Sequence, residues 1–275
     1  VKWARVTIGN PTTIQTGTLE VSSTLSLGPC FAIKPAPNNQ VWVASQVLIS
    51  GTHRVTGQLF NQLMQPVTAP GPISITLPSG YTASCVDVVN AQNINAWIVY
   101  GYDNGSSFHV GGFCADFASL TQLGAGDITA SPEPRKVTNI TAALDVGQMR
   151  VFWELRTPEG SPNYDTVVRT GTVANNMGIL SGPVDLRRSV GLISKAWTDP
   201  ISTSSYVWLT YDDNVQPTYF LSDGSGNIIS KSLANRGFGL SVKDSGFGQL
   251  SNVAIVAPNQ FVFAFPTREQ YVSEA

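Results

Sequence analysis

Charge is scarce in this chain. Lysine, arginine, aspartate and glutamate make up 12% of its 275 residues, about half the share of an ordinary globular domain. The formal net charge is −2, with no basic run and no patch of aromatics interleaved with Lys and Arg. A nucleic-acid binder must neutralise phosphates with clustered cations, so that class is excluded. Long hydrophobic runs are missing too. No apolar stretch approaches the roughly 18 residues of a membrane-crossing helix, and no membrane insertion is expected. Cysteine occurs three times, as Cys30, Cys85 and Cys114. So odd and sparse a set excludes a disulfide framework. No CxxC pair or His/Cys cluster suggests zinc, and the three read as small buried hydrophobes. No metal and no cofactor are expected. A secretory leader is not evident, and the first residue is Val1 rather than Met. The expectation is a processed product or a portion of something longer.

Hydrophobic residues are 42% of the chain, enough for a large core. Ser, Thr, Asn, Gln and Gly take the place of charge, a composition common in secreted and virion proteins. No long segment carries apolar residues at i, i+3, i+4 and i+7 behind a cap, so minimal helix is expected.

A repeat organises the rest. Short apolar strands with an aromatic or bulky second position begin at Val41, Ala96, Val151, Val207 and Phe261, spaced by 55, 55, 56 and 54 residues. A second column, about ten residues earlier, holds small and apolar residues: Phe31–Ile33, Val86–Val88, Ala142–Leu144, Lys195–Trp197 and Val253–Ile255. Pro, Asn, Asp and Gly lie between the two columns, which therefore read as hairpins. A third column follows at Val55–Phe60, Phe108–Phe113, Thr166–Thr170 and Thr218–Leu221. A fourth runs through Ile73–Leu77, Leu120–Leu123, Val184–Leu186 and Ile228–Ser230. The segment Ser222–Asn227, which includes Gly224-Ser225-Gly226, reads as a tight turn.

Each unit is a four-stranded antiparallel meander, which cannot bury both its faces alone. Radial stacking solves this, and the fold class is all-β, a β-propeller. Units fall at about 25–79, 80–135, 136–189 and 190–244. Trp3–Thr7 and Thr18–Val21 read as third and fourth strands, and 252–265 as first and second. Residues 1–24 and 245–275 then make one composite blade that closes a ring of about five and leaves no open edge. An arc of a larger ring and a β-sandwich are the alternatives.

Candidate chemistry is thin. Trp42, Trp97, Phe152 and Trp208 could line repeated sugar sites, but apolar neighbours on both sides make them core between blades. Asp87, Asp145 and Asp199 lie on or near first strands, with Glu154 on a second. A glycosidase needs two carboxylates at one opening, and no motif surrounds these, so the aspartates read as turn-forming or solvated. His53 and His109 stand at equivalent places in neighbouring units, too few for a metal or a base. Asp212-Asp213-Asn214 lacks calcium-loop spacing and reads as a turn. No GxSxG, sialidase Asp-box or repeated WD dipeptide occurs, and no glycine loop opens a helix to cradle phosphate. No catalytic, metal or binding residue is assigned. Loops at 123–137, 156–165 and 199–205 are where partners are expected.

The repeat resembles the β-propeller superfamily over nearly the whole chain. Charge-poor phrases such as Val207-Trp208-Leu209-Thr210-Tyr211 and Pro217-Thr218-Tyr219-Phe220 are similar to propellers in bacteriophage tail proteins. That resemblance implies a non-enzymatic structural module in a virion or other extracellular assembly, with other protein subunits as partners. A carbohydrate-binding propeller is the alternative, and a glycoside hydrolase a further one.

Overall fold

The structure is a computed structural model. It describes residues 2–7, 13–18, 26–36, 38, 40–67, 72–91, 95–116, 122–145, 148–156, 166–174, 179–188, 196–198, 206–211, 217–222, 228–232, 252–257 and 260–264. The described chain is almost all strand.

The first pair, β1 (Lys2–Thr7) and β2 (Thr13–Thr18), forms a two-stranded sheet. Four antiparallel meanders follow. The first is β3 (Ser26–Ala36), β4 (Gln40–Ile49), β5 (Thr52–Phe60) and β6 (Ile73–Thr76). The second is β7 (Thr82–Ala91), β8 (Asn95–Asp103), β9 (Phe108–Asp116) and β10 (Gln122–Asp127). The third is β11 (Lys136–Asp145), β12 (Gln148–Arg156), β13 (Thr166–Val173) and β14 (Ile179–Arg188). The fourth is β15 (Ala196–Thr198), β16 (Tyr206–Tyr211), β17 (Pro217–Ser222) and β18 (Ile228–Ser232). A last pair, β19 (Asn252–Ala257) and β20 (Gln260–Ala264), is again two-stranded.

The four columns of the repeat thus emerge as the four strands of each meander. One detail differs. The second N-terminal strand covers Thr13–Thr18 and pairs Ile14 with Val6, so it lies earlier than the expected Thr18–Val21. This register sets Val6 opposite Ile14 and Trp3 opposite Gly17.

Alternation on one strand explains the stacking. Trp97 and Val99 on β8 face Val137, Val151 and Trp153 of the third meander in one buried cluster. Ala96, Ile98 and Tyr100 belong to another cluster with Trp42, Val55 and Leu59 of the first. Neighbouring residues of a strand point to opposite faces, so a strand buried on both faces must be apolar throughout. Trp42, Trp97 and Phe152 are all buried, in agreement with their reading as core between blades. The side chain of Trp208 lies outside the described residues.

Turns and close approaches obey the same chemistry. Ser50 and Gly51 both take positive φ, at 49° and 78°, and join β4 to β5. Two successive positive φ values match the right-handed twist of a two-residue hairpin. At Gly101 on β8 a Cβ would meet Val137 Cγ1 at 2.7 Å and Cys85 Sγ at 2.9 Å, so glycine lets the second and third meanders meet.

Candidate functional site

The first strands β3, β7 and β11 lie side by side. No backbone ladder joins them, and side chains supply the polar links instead. Gln46 Oε1 accepts the Ala83 N–H at 2.5 Å, tying the first meander to the second. The Ser84 hydroxyl donates to the Val137 carbonyl at 2.7 Å, tying the second to the third. Burial of backbone polar groups requires such partners.

Between the three strands opens a cavity of about 440 Å³, lined by 30–34, 84–87 and 138–141. Asp87 is its buried charge, 4% exposed. Its Oδ2 accepts the Thr141 hydroxyl at 3.0 Å and the Ala142 N–H at 3.1 Å. Its Oδ1 lies 3.5 Å from Lys34 Nζ. One carboxylate on the second meander is therefore held by a cation from the first and two donors from the third. A buried carboxyl group needs this kind of company.

Apolar surface adjoins these polar groups. Phe31 on β3 lines the cavity and is 50% exposed, and Ile33 is also exposed. An exposed aromatic beside a few convergent polar groups is the usual make-up of a small-molecule site.

Glu154 is placed differently. It lies on β12, is 1% exposed, and accepts the Thr138 hydroxyl at 2.6 Å. Thr138 lines the cavity and Glu154 does not. One strand, β11, therefore serves two buried carboxylates: Thr141 reaches Asp87 and Thr138 reaches Glu154. The reading of Asp87 as a turn-forming or solvated acid is corrected, because it is buried and hydrogen-bonded mid-strand; Glu154, on a second strand as expected, is buried too. Asp145 ends β11, with its side chain outside the described residues, and Asp199 lies outside them altogether. Asp212-Asp213-Asn214 and Gly224-Ser225-Gly226 also lie outside them.

The cysteines are buried free thiols. Burial pushes Cys85 up to about 12, with the nearby Cys30 and Glu154 adding to the shift against a hydrogen bond from Gly101. Burial raises Cys30 as well. A thiolate is the nucleophilic form, so neither cavity-lining cysteine is a nucleophile near neutral pH. His53 and His109 do not meet: His53 Nδ1 is 2.9 Å from Gln46 Nε2, and His109 Nε2 is 2.8 Å from Ser107 Oγ. Among the described residues no group of three His, Cys, Asp or Glu is arranged to hold a metal ion.

Sequence reasoning passed over Phe31, Lys34 and Thr141. The signal for the polar pair was the repeat itself: Lys34, Asp87 and Thr141 recur about one unit apart on successive first strands.

No family model matches the chain, and no curated protein matches it by sequence. Solved structures resemble it at low identity. An alpha-L-arabinanase of Cellvibrio cellulosa, complexed with arabinohexaose, is 10% identical, with 84% of this chain and 91% of that one covered and a TM-score of 0.45. A GH43_1 enzyme of Xanthomonas citri, complexed with xylose, is 9% identical, with 79% and 90% covered and a TM-score of 0.36. An ACO/RPE65 chimera is 11% identical, with 76% of this chain covered and a TM-score of 0.46; the match spans half that protein's length. The expectation of a non-enzymatic structural module in a virion tail is corrected by these neighbours, which include glycoside hydrolases and no tail protein among those named. The chain resembles these propeller proteins in fold.

Proposed function

We propose that this chain is a carbohydrate-binding propeller whose ligand enters the cavity between the first strands. The proposal includes the architecture: five blades, with 25–79, 80–135, 136–189 and 190–244 as whole units, and 1–24 plus 245–275 as the composite that closes the ring. Its setting is extracellular. The single observation that supports the reading is the pairing of Asp87 and Lys34 with the exposed ring of Phe31 in one cavity.

Sugars present hydroxyls at their edges and C–H groups on their faces. The edge needs charged or polar partners, because a buried hydroxyl without one costs about 1–3 kcal/mol. Asp87 accepts and Lys34 donates, while Thr138, Asn139 and Thr141 add neutral groups along β11. The C–H face needs an apolar plane, which Phe31 offers. A cavity of about 440 Å³ suits one or two sugar rings.

Hydrolysis is the second reading, favoured by the buried Glu154 behind Thr138. A hydrolase places two carboxyl groups on either side of the scissile bond. Of Asp87 and Glu154, Asp87 alone lines the opening, so binding is the primary reading.

The test is calorimetric titration against neutral oligosaccharides of pentoses and of hexoses, with reducing ends assayed afterwards. Saturable heat without new reducing ends supports binding. New reducing ends that vanish in Asp87→Asn support hydrolysis. No heat with any sugar overturns both.

A further inference from the structure

A second constellation lies away from this cavity, at the outer turn of the second meander. The turn 104–107 joins β8 to β9, and Ser107 precedes β9 directly. Ser107 Oγ is 2.8 Å from His109 Nε2. His109 Nδ1 is 3.5 Å from Asp127 Oδ2, at the end of β10. We propose that Ser107, His109 and Asp127 form an acyl-transfer site that hydrolyses small acyl esters.

The arrangement has the connectivity of a nucleophile, a base and an orienting carboxylate. With the ring proton on Nδ1 facing Asp127, Nε2 accepts the Ser107 hydroxyl. The other supports fix the ring. His109 stacks on Tyr102 with centroids 5.0 Å apart and planes at 20°, and it meets the edge of Tyr81 at 5.7 Å. The Tyr102 hydroxyl donates to Asp127 Oδ1 at 2.5 Å, so the carboxylate is held from its far side. Ser107 is half-buried and Asp127 is exposed, which leaves the site open to a substrate and to water.

Donors for the developing negative charge lie in the same turn. The N–H groups of Ser106 and Ser107 converge on Asn104 Oδ1 at 3.0 and 2.8 Å. Two adjacent backbone donors aimed at one oxygen form the kind of nest that receives an oxyanion. In this structure the Asn104 amide oxygen accepts from both donors, and an oxyanion would have to take its place.

The chemistry balances with an ester and water alone. Ser107 Oγ bonds to the ester carbonyl carbon and its proton passes to His109 Nε2. The ester C–O bond breaks, and the alcohol leaves with that proton. Water then attacks the acyl-serine, gives a proton to His109, and releases the carboxylic acid as Ser107 recovers its hydrogen. No sequence motif announces the site, because Ser107 ends the turn two residues before His109 on β9, and Asp127 comes from the next strand.

The test is covalent. The intact protein is treated with a fluorophosphonate probe and the labelled peptide is identified by mass spectrometry, with p-nitrophenyl acetate turnover followed in parallel. The expected result is label on Ser107, none at that peptide in Ser107→Ala, and a labelling rate lowered on the order of a hundredfold in His109→Gln. Circular dichroism establishes that each variant is folded. Should His109→Gln fail to fold, Asp127→Asn is read in its place, with slower labelling expected. A folded protein without label on Ser107, or one whose base variant labels as fast as the parent, overturns the proposal.

Discussion

Thr141 on β11 donates its hydroxyl to Asp87 on β7 at 3.0 Å, across the boundary between two meanders. With Lys34 on the other carboxylate oxygen, three successive first strands are tied through one side chain. The polar centre of the cavity is therefore also a joint of the fold.

Replacing Asp87 tests the joint. Asp87→Ala removes at once the acceptor of the Thr141 hydroxyl and the Ala142 N–H and the ion-pair partner of Lys34. A loss of about 2–4 kcal/mol is expected, since each buried unsatisfied group costs about 1–3 kcal/mol and partial solvation softens the sum. Asp87→Asn keeps the volume and one acceptor oxygen, and its loss is about half as large. Urea unfolding at neutral pH measures both. Equal stability of Asp87→Ala and the parent contradicts the account.

Gly101 tests the contact between the second and third meanders. A methyl group there would lie 2.7 Å from Val137 Cγ1 and 2.9 Å from Cys85 Sγ. Gly101→Ala is expected to cost about 1–3 kcal/mol through overpacking. Gly126, on the exposed β10, has nothing within 4 Å of a Cβ, and Gly126→Ala is expected to be neutral to mildly stabilising. Melting temperatures of the two variants, compared side by side, check the contrast.

Alkali tests the buried thiols. Burial raises Cys85 to about 12 and Cys114 to about 11, against an ordinary value of 9.0. Below pH 9 the thiols are protonated in both folded and unfolded chains. Above it the unfolded chain loses protons that the folded chain keeps, so stability falls as pH rises from about 9 through the folded values. The slope reaches about 1.4 kcal/mol per pH unit for each thiol. Burial shifts Tyr100 and Tyr102 in the same direction. Urea midpoints at pH 8 and pH 10.5, under reductant, should fall less steeply for Cys85→Ala than for the parent. Identical slopes contradict the account.

The repeat was legible because it is local. Spaced columns beginning at Val41, Ala96 and Val151 reported strands whose two faces are both covered, and β4, β8 and β12 contain them. Trp42 and Trp97 were likewise readable as core, since apolar neighbours on a strand mean burial on both faces. The cavity was harder to read. Lys34, Asp87 and Thr141 look unremarkable one by one, and their meeting depends on the lateral offset between first strands. Asp87 reads as a solvated acid until Thr141 and Ala142 are brought against it. Glu154 misleads in the opposite sense, because a carboxylate in an apolar strand suggests chemistry while Thr138 occupies the cavity side.

The claim that most needs testing is that a sugar occupies the cavity beside Asp87. The most direct measurement is the dissociation constant of the best oligosaccharide from the titration panel, for the parent, Phe31→Ala and Asp87→Asn, each shown to be folded. Phe31 is half exposed, so its truncation spares stability. The account predicts affinity weakened by about tenfold or more in both variants, the loss of roughly 1.4 kcal/mol that a single good contact supplies. Undiminished affinity in both variants would mean that the sugar binds elsewhere, and would contradict it.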